Sequence, residues 1–97
     1  MGETTDMGAT LTFDAAATLG LNALGFLAVS GPAMDRFLEL TGLAPATIRA
    51  RAEEPDFLVS VLDFLLSDEE LLLRFCDEME GDVRAVHMAR HILSGGA

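Results

Sequence analysis

Two histidines separated by one helical turn are the residues of this chain best spaced for chemistry. His87 and His91 stand four positions apart, so a helix would present both imidazoles on one side, as a divalent metal requires. Arg84 and Arg90 flank the pair with positive charge, and no cysteine or carboxylate at ligand spacing on the same segment completes a ligand set. We therefore predict no metal site. Arg84, His87, Arg90 and His91 instead form a candidate basic face that could meet an acidic protein surface.

A helix-turn-helix pattern is the second candidate for a functional site. The sequence FLELTGLAPATIRARA (residues 37–52) contains two short helical segments joined across Gly42. Base recognition needs hydrogen-bond donors on the second segment, which offers Thr47, Arg49 and Arg51, but acidic residues follow at once from position 53. The net charge of −10 also repels phosphate backbones. DNA-binding regulation therefore remains the alternative function, and nucleic acid is disfavoured as a partner.

Catalytic motifs are missing from the rest of the chain. Sixteen Asp and Glu residues face only six Arg and no Lys, and acidic clusters such as residues 68–70 have no histidine or oxyanion-stabilising group beside them. No nucleophile elbow, phosphate-binding loop or dinucleotide fingerprint is present. We predict a protein that is not an enzyme and binds no cofactor. The single cysteine, Cys76, cannot form an intramolecular disulfide, which favours a cytoplasmic location and a buried thiol.

Proline and glycine mark the boundaries of the elements that would carry these residues. Prolines at positions 32, 45 and 55 each occupy the first position of a predicted helix, and Gly42 and Gly81 are placed to end two others. No segment alternates between polar and apolar residues with a period of two. The sequence thus predicts an all-α fold class: a compact single-domain bundle of about six short helices over residues 12–94, after a disordered leader of residues 1–11.

Local residue choices predict how individual helices begin and pack. Thr12 is the expected N-cap of the first helix and Asp82 that of the sixth, while Ser67 and Glu70 form a predicted capping box at the start of the fifth. Gly20 falls on the buried side of the first helix, where a missing side chain would let another helix approach closely.

Residues 55–75 are the most apolar part of the chain. Polar residues in its first half recur at steps of four, three and four, so they form one thin stripe on an otherwise apolar helix. Such a helix is either the central strut of the bundle or is partly covered by a partner. The predicted centre of the core comprises Phe57, Leu62, Phe64, Leu65, Leu72 and Phe75.

Three stretches resemble a known family pattern: LNALGFLA (residues 21–28), RFLELTGL (36–43) and PDFLVSVLDFLLSDEELLLRFC (55–76). They are similar to a family of short alphaproteobacterial proteins known only as a domain of unknown function. The resemblance rests on core and capping residues, so it implies a fold and no residue roles. What it implies is a small, helical, bacterial cytoplasmic protein.

The predicted function is a non-catalytic protein-interaction or regulatory module. Leu73 lies outside the apolar arc of the fifth helix, and Val59 and Leu66 could extend it into one candidate partner surface. The expected occupant is a protein partner or a second copy of the chain. No membrane association is expected, because the apolar run of residues 13–29 is interrupted by Asp14 and Asn22 and is too short to span.

Overall fold

The computed structural model describes residues 11–95, which form six α-helices and no strand. The helices are α1 (Phe13–Val29), α2 (Pro32–Thr41), α3 (Pro45–Arg51), α4 (Pro55–Leu66), α5 (Glu69–Met79) and α6 (Val83–Leu93). The predicted all-α bundle of about six short helices is therefore confirmed. Proline occupies the first position of α2, α3 and α4, where its missing N–H costs no helical hydrogen bond.

Helix α4 lies at the centre of the bundle. It packs against α1, α5 and α6, and α1 packs in turn against α6 and α2. All six residues predicted for the centre of the core are buried, as are Leu58 and Val61 on the same helix. The apolar excess of α4 is thus mostly used inside the monomer, which favours the central strut over a helix that a partner must cover.

Gly20 brings α1 close to α4, as the sequence predicts. It is buried, and a Cβ atom built on it would lie 3.1 Å from the Cβ of Leu58. That distance is tighter than ordinary van der Waals contact, so the missing side chain of Gly20 leaves room for the side chain of Leu58.

Two glycines and one phenylalanine fix the positions of α2 and α3. The chain bends by 113° between α1 and α2, where Gly31 has a φ of 55° that L side chains rarely adopt. Phe37 then holds α2 on α4, with ring centroids 6.0 Å from Phe57 and 5.4 Å from Phe64 in edge-on geometry. At Gly42 the chain turns left-handed and ends α2, and the following α3 is anchored by the buried Ile48.

The start of α5 differs from the predicted capping box by one residue. Asp68, not Ser67, is the N-cap, and its Oδ1 accepts a hydrogen bond from the N–H of Leu71 at 3.2 Å. Ser67 instead ends α4, with its hydroxyl donating to the carbonyl of Phe64 at 2.7 Å. The carboxylate is the stronger acceptor for the exposed N–H groups at a helix start, and Asp68 also accepts from Arg36 of α2 at 3.0 Å.

The residue that turns the chain after α5 is also one position away from the prediction. Glu80 takes the left-handed conformation with φ 54° and ψ 38°, while Gly81 follows it and donates its N–H to the carbonyl of Cys76. The other two predicted caps are confirmed, because Thr12 accepts from the N–H of Ala15 and Asp82 from that of Arg84.

The predicted leader falls mainly on residues 1–10, which lie outside the described residues. Leu11, its last residue, is partly buried and packs against the core. Within the described chain no single helix is long and apolar enough to cross a membrane, although α1 and α2 together meet the criteria of length and composition despite their bend.

Candidate interaction surface

An open apolar groove with a volume of about 490 Å³ lies between α1, α2 and α3. We call it the α1–α3 groove. Its walls are Leu21, Leu24, Gly25 and Ala28 from α1, Met34 and Leu38 from α2, and Pro45, Ile48, Arg49 and Ala52 from the α3 region. Ile48 is the one buried residue among them and the others are half-buried or exposed, so the groove lies open to solvent along its length.

The α1 wall is a second apolar stripe beside the one that faces the core. Its four residues follow the spacing i, i+3, i+4 and i+7, so they share one face of the helix over about two turns. The core-facing stripe is Ala16, Gly20, Ala23 and Leu27. Of these two stripes, only the buried side that contains Gly20 was predicted from the sequence. The i, i+3, i+4, i+7 spacing was the signal that could have found the second stripe.

Gly25 has a different environment from Gly20 on the same helix. A Cβ atom built on Gly25 would meet nothing within 4 Å. The absence of a side chain therefore leaves open space on the groove wall, whereas at Gly20 it accommodates Leu58.

Arg49 lies at the edge of the groove and is exposed. Each of the other five arginines has a carboxylate oxygen within 4.0 Å, for example Arg51 with Glu54 at 2.9 Å. Residues 11–95 supply no such partner for Arg49. A positive charge with no carboxylate oxygen of residues 11–95 within 4.0 Å thus lies beside the apolar groove.

The comparison with known families covers all of these elements. The family described as "Protein of unknown function (DUF3572)" matches residues 13–96. The chain belongs to the DUF3572 family. The match includes all six helices and every residue that lines the α1–α3 groove, so the groove is part of the DUF3572 domain itself. Comparison with curated proteins and with solved structures gives no match.

The partner surface predicted from the sequence lies on α4 and α5 of the DUF3572 fold. Leu73 is 52% exposed. Val59 and Leu66 are only partly exposed and pack against the core. The three residues remain a predicted surface, and Leu73 supplies most of the apolar area that it could offer to a partner.

The candidate basic face on α6 is partly neutralised. Arg90 reaches across to α4, where both of its contacts go to the carboxylate of Asp63, and this hydrogen bonding raises the pKa of the guanidinium. Arg84 lies 3.9 Å from the carboxylate of Asp82. His87 and His91 are exposed. Within residues 11–95 no group of three His, Cys, Asp or Glu residues is placed to hold a metal ion.

The helix-turn-helix alternative gains no support from the geometry of α3. This helix has only seven residues, and Arg51 is paired with Glu54 immediately after it. Arg49 is the one arginine of α3 without a carboxylate oxygen of residues 11–95 within 4.0 Å, and a single such residue offers few contacts for a helix that would have to bind both phosphates and bases.

Cys76 is positioned as a structural residue. It is buried at the edge of a smaller cavity of about 340 Å³ between α1, α5 and α6. Burial, together with the nearby carboxylate of Asp82, raises the pKa of the Cys76 thiol. A raised pKa leaves less of the reactive thiolate, which agrees with the interpretation of this residue as a small buried hydrophobe.

Proposed function

We propose that this DUF3572 domain is a non-catalytic protein-interaction module, and that its partner binds in the α1–α3 groove. The observation that carries the proposal is the groove itself, an open apolar surface that the monomer leaves only partly covered. Exposed apolar surfaces bordered by polar residues are typical of protein-binding sites. The setting that we propose is the cytoplasm of an alphaproteobacterium, which is supported by the single unpaired cysteine and by arginine used to the exclusion of lysine.

The groove is favoured over the surface of Val59, Leu66 and Leu73 because of its concave shape. Val59 and Leu66 are packed against the core, as Leu24, Met34 and Leu38 of the groove also are, so the difference between the two surfaces lies in shape and not in burial. In the groove, three helices contribute apolar walls around one concave space, and a partner side chain there would contact several neighbours at once.

Two charge substitutions test the proposal with a matched control. Leu21 lies in the groove and is 39% exposed, while Leu40 lies outside it on α2 and is 70% exposed. Leu21→Glu and Leu40→Glu add the same negative charge, but only the first places it against the apolar wall. Wild type and both variants would be used for affinity capture from the native cytoplasm, with mass spectrometry to identify retained proteins and circular dichroism to check folding.

We expect the same protein to be retained by wild type and Leu40→Glu and lost with Leu21→Glu. Retention by all three folded baits would contradict the groove as the binding site. A second copy of the chain is the other expected occupant, and sedimentation separates that case. If a dimer forms and Leu73→Glu dissociates it while Leu21→Glu does not, the partner surface is the one predicted on α4 and α5.

A further inference from the structure

Resting on the proposed function, we infer that the occupant of the α1–α3 groove is an amphipathic α-helix of a partner protein, which crosses α1 at Gly25 and places a carboxylate against Arg49. Two independent observations support this occupant: the open space above Gly25, and the charge of Arg49, which has no carboxylate oxygen of residues 11–95 within 4.0 Å.

Gly25 marks the place of closest approach. Glycine inside a helix costs about 1 kcal/mol relative to alanine, so it is favoured where a missing side chain serves another purpose. At Gly20 that purpose is contact with Leu58 in the same chain. At Gly25 no atom of the described chain lies within 4 Å of the Cβ position, and the space above it is the groove. The backbone of a second helix could approach α1 there as closely as α4 does at Gly20.

Arg49 defines the charge of the occupant. The protein as a whole carries a net charge of −10, which at long range repels an acidic ligand. At the groove edge, however, the nearest charge is a guanidinium without a carboxylate partner among residues 11–95. A ligand that is mainly apolar and carries one acidic group beside its apolar stripe matches both features.

The shape of the groove favours a helix over the other possible occupants. The stripe from Leu21 to Ala28 covers about two helical turns, which matches a partner that presents apolar residues at i, i+3 or i+4, and i+7. An extended peptide that adds to a sheet needs an exposed strand edge, and the described residues form no strand. A polyproline II peptide needs a groove lined by aromatic residues, and none of the residues that line this groove is aromatic. A small amphiphile would be enclosed over most of its surface, whereas the walls of this groove are mostly half-exposed or exposed.

A peptide selection with charge reversal tests the inference. A random library of peptides of about 16 residues, long enough for roughly four helical turns, would be displayed on phage and selected in parallel on three folded baits: wild type, Arg49→Glu and Gly25→Leu. A Cβ atom at Gly25 meets no neighbour, so the leucine should fill the groove without disturbing the bundle. Circular dichroism confirms the helix content of each bait.

We expect the wild-type selection to enrich peptides with apolar residues at helical spacing and an Asp or Glu beside them. Arg49→Glu should bind these peptides about 5- to 10-fold more weakly, and its own selection should enrich Lys or Arg at the same position. Gly25→Leu should retain none of them above background.

Each contrary result overturns a defined part. If wild type and Arg49→Glu enrich acidic peptides equally, Arg49 does not recognise the peptide. If the selected peptides have no apolar residues at helical spacing, the occupant is not a helix. The proposed function would survive either result if Gly25→Leu still abolished binding. Wild-type peptides bound equally well by Gly25→Leu would overturn the groove and the proposed function together. If no peptide is enriched, and sodium dodecanoate binds to wild type but not to Gly25→Leu, the occupant of the groove is a small amphiphile and not a helix.

Discussion

The two glycines of α1 should respond to alanine substitution in opposite directions. In both cases alanine removes the conformational freedom of glycine from the unfolded chain and improves helix propensity, which stabilises the fold by about 0.5 to 1 kcal/mol. At Gly25 nothing opposes this gain, because the new methyl group meets no atom within 4 Å. Gly25→Ala should therefore raise the free energy of unfolding by about that amount.

At Gly20 the same methyl group would lie 3.1 Å from the Cβ of Leu58 and 3.3 and 3.4 Å from its two methyl carbons. The methyl carbons can rotate, but the Cβ is fixed to the backbone of α4, so α1 and α4 must move apart by a few tenths of an ångström. Overpacking of this kind typically costs about 1 to 3 kcal/mol. Gly20→Ala should thus range from nearly neutral to about 2 kcal/mol less stable than wild type.

The difference between the two variants isolates the contact, because the propensity gain is common to both and cancels. We expect the free energy of unfolding of Gly25→Ala to exceed that of Gly20→Ala by about 1 to 3 kcal/mol, as measured by urea unfolding followed by far-ultraviolet circular dichroism. Equal stabilisation by both substitutions would refute the close packing of α1 on α4 at Gly20, and with it the position of the helix that carries the groove wall.

Three further substitutions test other parts of the fold. Leu65→Ala, at a fully buried site on α4, should lower the free energy of unfolding by about 2 to 5 kcal/mol, and a loss well under 1 kcal/mol would show that α4 is not central. Glu80→Gly should stabilise the protein by about 1 kcal/mol because glycine adopts the left-handed conformation without strain; a destabilised variant would place the turn at Gly81 instead. Two hydrogen bonds, the larger effect from the N–H of Leu71 and the next from Arg36, lower the pKa of Asp68 below its ordinary value of 3.8. The ionised Asp68 therefore contributes stability that is present above about pH 4 and is lost as the pH falls through the lower pKa of the folded state. Asp68→Asn should therefore flatten the acid side of the pH-stability curve, and an unchanged curve would contradict this role.

The sequence predicts the helices well because their boundaries are encoded locally. Proline at the start of α2, α3 and α4 and the caps Thr12 and Asp82 each act within one turn of the chain. The two errors are also local: at Ser67 and Asp68, and at Glu80 and Gly81, neighbouring residues could both fill the same position. At the first of these, Asp68 also accepts from Arg36 of α2, a tertiary contact that the local sequence does not show.

The groove could not be predicted in the same way. Periodicity shows which residues share a face, and it does place Leu21, Leu24, Gly25 and Ala28 together. It does not show whether a neighbouring helix covers that face. The answer depends on the 113° bend at Gly31 and on Phe37, which holds α2 against α4 and leaves the space beside α1 open. Likewise, the sequence alone does not show that no carboxylate oxygen of residues 11–95 lies within 4.0 Å of Arg49.

Site-specific photo-crosslinking is the most direct test of the central claim that the α1–α3 groove binds the partner. A photoreactive phenylalanine analogue would replace Ala28, which is exposed on the groove wall, or Leu73, which is exposed on the alternative surface of α4 and α5. Irradiation in cells that naturally produce the protein should give a discrete crosslinked product from position 28 and none from position 73. A product from position 73 alone would contradict the account and assign binding to the surface of Val59, Leu66 and Leu73.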